Sequence, residues 1–174
     1  MMFELVDLEE VRDEMISEIQ SDIDQGKLYI SERLNGSGAE IYPELLLDAA
    51  KEGDIESFTS ALGMNFFNST YLRKKPRGGF SSVKMPHNAN ATLCEGEFNR
   101  FYIRAVCQKA ISQDQQFITV YRARSSSNPR IESIRLENQQ FQALPLLQDL
   151  QESIGVDSAL GLPPGPNSGM SIKL

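Results

Sequence analysis

Apolar residues recur every three or four positions at the start of the chain, at Leu8, Val11, Met15, Ile19 and Ile23. This is the stripe of an amphipathic helix, with Glu9, Glu10, Asp13, Glu14 and Asp24 lying off it. Asp7 followed by Glu10 has capping-box spacing, and Gly26 stops the pattern. "NGSG" at 35–38 reads as a turn. "YPELLLDAAKEG" predicts a short helix entered at Pro43, with proline at the first helical position, and ended at Gly53. Asp54 then caps a second short helix that ends at Gly63. Helices this short need a surface to pack on.

From 64 to 90 the period disappears. Glycine, serine, asparagine, proline and basic residues alternate without a repeat, which predicts a long irregular loop. Order returns from Asn90 or Thr92 to about Ser112. There Phe98, Phe101, Tyr102 and Ala105 fill one side of a helix, and Ile103, Val106, Cys107, Ala110 and Ile111 fill another. A stripe that wide predicts a central, buried helix. "QFITVYRAR" alternates in a β-branched and aromatic context and is the best strand in the chain. "IESIRL" at 131–136 alternates again, across a turn at "SSSNPR", so the two read as a hairpin. A short helix from Pro145 to Ser153 follows. The proline- and glycine-rich run "GLPPGPNSG" precedes a short amphipathic stub, so 161–174 reads as an extended arm that orders on assembly. The expected fold is α+β: one mostly helical domain over 1–160, with one β-hairpin, an irregular basic loop at 64–90 and a C-terminal arm at 161–174.

Charge changes this picture more than composition does. The 174 residues carry a net charge of −7. Residues 1–70 hold 4 basic against 16 acidic side chains, a net of −12, whereas 71–135 hold 12 against 4, a net of +8. The remaining segment, 136–174, carries −3. The basic segment opens with "YLRKKPRGG", and its cations Arg73, Lys74, Lys75, Arg77 and Lys84 are the candidate contacts to protein or DNA. Aromatic residues for base stacking are sparse there, which argues against sequence-specific reading. Glu97, Arg100 and Arg104 share one face of the central helix. They read as a solvated row, a buried ion-pair network or a subunit contact, with Glu97 in reach of Arg100.

Chemical motifs are few. His87 is the only histidine, and no ligand set accompanies it, so neither a nuclease metal site nor a zinc site is expected. Cys94 and Cys107 lie thirteen residues apart on one helix, about 20 Å, too far for a disulfide. Reduced, buried thiols are expected. Catalysis by Glu95 or Glu97 needs a second partner that the sequence does not supply. "GLPPGPNSG" lacks the ending of a phosphate loop. No cofactor, metal or catalytic residue is expected, and the chain reads as a non-enzyme. No apolar run approaches the roughly 18 residues of a membrane span. The acidic start lacks a signal core, so a cytosolic product is expected.

"PHNANATLCEGEFNRFYIRAVCQKAI", the later "VYRAR" and "NPR", and the ending "ALGLPPGPNSGMSIKL" resemble virion proteins of tailed bacteriophages and prophages, from about Tyr42 onward. The resemblance implies a structural protein of the virion, of head–tail connector or neck type. Its partners would be portal, tail or neighbouring connector proteins, and it would assemble as a homo-oligomeric ring after synthesis in the host cytoplasm. The alternative is a phage DNA-binding or DNA-processing accessory protein that uses the 73–77 cations, with non-specific proximity to DNA in either case.

Overall fold

The computed structural model describes residues 2–165 and 168–174. A 24-residue helix, α4 (Ala89–Ser112), runs through the centre. Around it stand α1 (Leu8–Asp24), α3 (Ile55–Ala61) and α6 (Ala143–Glu152), with α2 (Gly36–Glu52) against α1 and α3. A two-stranded sheet joins β1 (Thr70–Lys74) to β2 (Phe80–Lys84). A three-stranded antiparallel sheet has the order β4 (Gln140–Gln142), β3 (Phe117–Arg122), β5 (Met170–Lys173). A short helix, α5 (Ile131–Leu136), lies between β3 and β4. The architecture is the expected mixed α+β single domain.

The core explains why α4 is central. Phe98, Tyr102, Ile103, Ala105, Val106, Cys107 and Ala110 have no exposed surface. α1 covers it with Val11, Met15 and Ile19, and α6 with Leu146 and Leu150. Both run antiparallel to α4. Lys109 meets Glu14 while Arg104 meets Asp22, and Ile111 borders Leu144 while Arg100 reaches Ser153. The capping of α3 agrees with the sequence: Asp54 accepts from Ser57 N–H at 2.8 Å and Ser57 Oγ accepts in return. Asp7 stands at the start of α1 without capping it through its side chain. Its carboxylate instead accepts from Leu174 N–H at 2.9 Å.

Four expectations change. α2 begins at Gly36 rather than Pro43. "NGSG" is its capped first turn, with Asn35 accepting from Gly38 N–H at 2.9 Å, and Pro43 lies inside the helix. The 64–90 segment is not irregular: after a 3₁₀ turn at Met64–Phe66 it forms the β1–β2 hairpin, registered from Thr70↔Lys84 to Lys74↔Phe80. Residues 131–136 are helical and do not pair with β3, whose partners are β4 and β5. The C-terminal segment is not an arm. Met170, Ser171 and Ile172 are buried, and β5 pairs with β3 from Thr119↔Lys173 to Arg122↔Met170. Pro166 and Asn167, in the middle of the expected arm, lie outside the described residues.

Candidate functional site

The cations that stood out in the sequence lie on the hairpin. Every residue from Leu72 to Phe80 is exposed, as is Lys84. The turn closes through Lys75 N–H to the Gly79 carbonyl at 2.9 Å and Gly78 N–H to the Lys75 carbonyl at 3.2 Å. Gly78 and Gly79 have φ of +94° and +77°, a region that residues with a Cβ seldom enter. Strand alternation sorts the side chains. Tyr71 and Val83 share the inward face, where Tyr71 packs against the core and the Arg33 guanidinium sits 4.2 Å from its ring centre. Leu72, Lys74, Phe80 and Lys84 share the outward face. Leu72 is 69% exposed and Phe80 65% exposed, diagonal neighbours across the ladder. None of Arg73, Lys74, Lys75, Arg77 and Lys84 forms an ion pair among the described residues. The hairpin therefore presents an apolar pair rimmed by uncompensated positive charge.

The α4 row divides between three roles. Arg104 is buried and makes two bonds to the Asp22 carboxylate, at 2.7 and 2.8 Å, and a third to Glu18 at 2.7 Å. Its guanidinium carbon also lies 4.7 Å from the centre of the Phe101 ring. Glu18 further accepts from Gln108 at 2.6 Å and from Gln151 at 3.1 Å, so α1, α4 and α6 meet at one polar cluster inside the core. For Arg104, the buried-network reading of the row is the observed one. Arg100 instead donates to the carbonyls of Ser153 and Val156, the former at the end of α6, satisfying groups a helix terminus leaves open. The expected Glu97–Arg100 pair does not form among the described residues.

Glu97 is half-buried, and no hydrogen bond to its carboxylate occurs among the described residues. It lies between a cavity of about 10 Å³, shared with Asp22 and Arg104, and an open cleft of about 300 Å³ lined also by Tyr29, Arg33, Thr92 and Arg100. Burial pushes its carboxyl up to about 7, with Arg100 and Arg104 pulling the other way and Asp22 adding to the rise. An acid raised in the folded state carries no penalty below its unfolded value near 4.5. The penalty grows as pH rises towards 7 and is complete above it. Glu97→Gln should therefore match the parent in stability near pH 4 and exceed it by about 2–4 kcal/mol at pH 8. Urea unfolding at the two pH values checks this, and an equal gap at both would contradict it.

The remaining candidates carry little chemistry. Cys94 and Cys107 are free and buried, and burial pushes both thiols up to about 12, leaving neither as a nucleophile at neutral pH. His87 is exposed just before α4. Glu95 pairs with Arg124 at 3.0 Å. Among the described residues no group of three His, Cys, Asp or Glu side chains is placed to hold a metal, and no helix is long and apolar enough to cross a membrane.

Sequence reasoning missed Glu18 and Asp22 as partners of Arg104. The signal was present, since both fall on the buried side of α1 with Met15 and Ile19, where an acid needs a cation. It also missed that Leu72 and Phe80 share a face, which requires the hairpin register. The arrangement defines a small α+β protein that displays an exposed hairpin with a cationic turn and two exposed apolar side chains, Leu72 and Phe80, on its strands. No family profile, no curated protein and no solved structure matches the chain.

Proposed function

We propose that the protein is a structural assembly subunit, a virion component of tailed-phage head–tail connector type that builds a homo-oligomeric ring and does no catalysis. The observation that carries this reading is the hairpin: Leu72 and Phe80 exposed on one face with Lys74 and Lys84, and Arg73, Lys75 and Arg77 exposed elsewhere on the same hairpin, on a chain whose net charge is −7. Exposed apolar side chains rimmed by polar groups are the character of an interface. Opposite charge elsewhere on the same chain steers copies together and fixes their register. The phage assignment rests on the sequence resemblance, and the assembly role on the hairpin.

Sedimentation of the parent and of a variant with Arg73, Lys74, Lys75 and Arg77 changed to Ser tests the role. At low salt the variant should associate about 10–100-fold more weakly. The difference should shrink as salt rises, because exposed charges are screened beyond about 10 Å at 0.1 M. Identical sedimentation at all salt concentrations would reject the assembly role. The same four cations favour one rival reading, DNA contact. In that case a random duplex is retained by the parent with a log–log salt slope of about −4, one counterion per cation, and the variant loses it.

A further inference from the structure

We infer that the hairpin of one copy docks into a groove of mixed apolar and polar lining at the opposite end of α4 in a second copy, so that the protein assembles head to tail. This deepens the assembly reading and rests on it. The groove, of about 480 Å³, sets apolar Ile111, Leu144 and Pro145 beside polar Asp114, Gln116 and Gln142. Ile111 and Leu144 are exposed, and Phe117, also exposed, stands beside the groove through its pairing with Gln142.

Position, shape and charge together select the occupant. The hairpin leads through Met85 directly into the N-terminal end of α4, whereas the groove lies where α4 ends and α6 begins. Twenty-four helical residues separate these ends by about 36 Å. A projection and a recess at opposite ends of one rigid helix cannot meet within a molecule, but they meet between copies. Such a contact is heterologous, closing into a ring when the rotation allows. Leu72 and Phe80 supply the apolar pair that Ile111, Phe117 and Leu144 can cover. Charge matches as well. Asp114 stands exposed on the groove, and Asp13 is exposed on α1 beside a hollow that it shares with Ser112 of α4. Because α1 is antiparallel to α4, its acidic start lies at the groove end, where Glu10 is exposed and Glu9 is paired with Arg12. The carbonyl end of α4 adds partial negative charge there. The hairpin brings Arg73, Lys74, Lys75 and Arg77.

Two complementary variants of the full chain decide it. Leu72→Ser with Phe80→Ser removes the projection and keeps the groove. Ile111→Lys with Leu144→Lys removes the groove and keeps the projection. All four positions are exposed, and circular dichroism with thermal melting checks that each variant stays folded. Should the lysine pair perturb folding, Leu144→Ser with Asp114→Lys serves in its place. The parent should form higher oligomers, and each variant alone should remain monomeric, with association weakened at least tenfold. An equimolar mixture of the two should form dimers and stop there, because each dimer holds one dead hairpin and one dead groove. If the groove variant assembles like the parent while the hairpin variant does not, the hairpin docks elsewhere: this inference fails and the assembly reading stands. If the hairpin variant assembles like the parent, or the parent stays monomeric and binds only DNA, both fail. Two monomeric variants that do not combine also overturn the head-to-tail contact.

Discussion

Replacing Arg104 with methionine is expected to lower the unfolding free energy by about 3–5 kcal/mol at neutral pH. The guanidinium is the only partner of the Asp22 carboxylate among the described hydrogen bonds, and one of three for Glu18. Methionine keeps an apolar stem but removes the guanidinium, with its charge and its contact to the Phe101 ring, leaving two acids inside the core. Neutralising those acids as well, through Glu18→Gln and Asp22→Asn, should recover at least half of the loss, because the penalty lies in the uncompensated charge rather than in missing volume. The pH dependence has a defined sign. Burial acts to raise the Glu18 carboxyl, but Gln108, Arg104 and Gln151 outweigh it and hold the group below the usual carboxylate value of 4.5. Its contribution is therefore present above about pH 4.5 and is lost as pH falls through the lowered folded value. The gap between parent and Arg104→Met should narrow in acid, where protonation relieves the variant. Urea unfolding at pH 7 and pH 3.5 measures both effects, and a loss under about 1 kcal/mol at pH 7 would contradict the assignment of the cluster as the polar centre of the core.

The C-terminal strand should matter as much. Ile172→Ala is expected to cost about 2–5 kcal/mol, the range for emptying a fully buried aliphatic site. Ile172 and Met170 have no exposed surface, and Ser171, on the other face of β5, is buried too. Its hydroxyl and the Met170 carbonyl both bond Asn99 of α4, at 2.6 and 2.9 Å. A chain ended after Gly169 loses these contacts and the ladder to β3 together. The sum rivals the whole stability of a small domain, about 5–15 kcal/mol. Such a truncation should abolish cooperative melting, whereas a true arm could be removed with little effect. A truncated protein that melts as sharply as the parent would return the segment to that status.

These two results follow from features that the sequence disclosed unequally. α1, α3, α4 and α6 were legible because each repeats its apolar positions at helical spacing over a face that the core then buries. The first turn of α2 was hidden by Pro43, whose preference for helix starts is real, although here Asn35 supplies the cap eight residues before it. The hairpin was hidden because its inward face holds only Tyr71 and Val83 as apolar residues, both half-buried and too few to show a period of two, and its cations and glycines resemble loop composition. "IESIRL" alternates, but Ile131 and Ile134 are also three apart, and a six-residue run cannot separate the two periods. The choice between 131–136, β4 and β5 as partners of β3 is a long-range matter that no local pattern encodes. The same holds for the candidate site. The cations of 73–77 were evident from their density, while the apolar pair beside them needed the register. Arg104 was evident as a charge on a buried helix, but its partners lie more than 80 positions away.

The placement of β5 also bears on how the chain is made. β3 is complete at Arg122, and the strand that covers its edge from Thr119 to Arg122 begins at Met170. A ribosome adding about 5–20 residues per second needs roughly 3–10 s to cross that interval of about 50 residues. Throughout it, one edge of β3 stands open as a pairing template for any neighbouring nascent chain. Polysomes that crowd several such chains together therefore pass through a window of mispairing. Slower translation after Arg122 lengthens that window, and the arrival of Met170–Lys173 closes it.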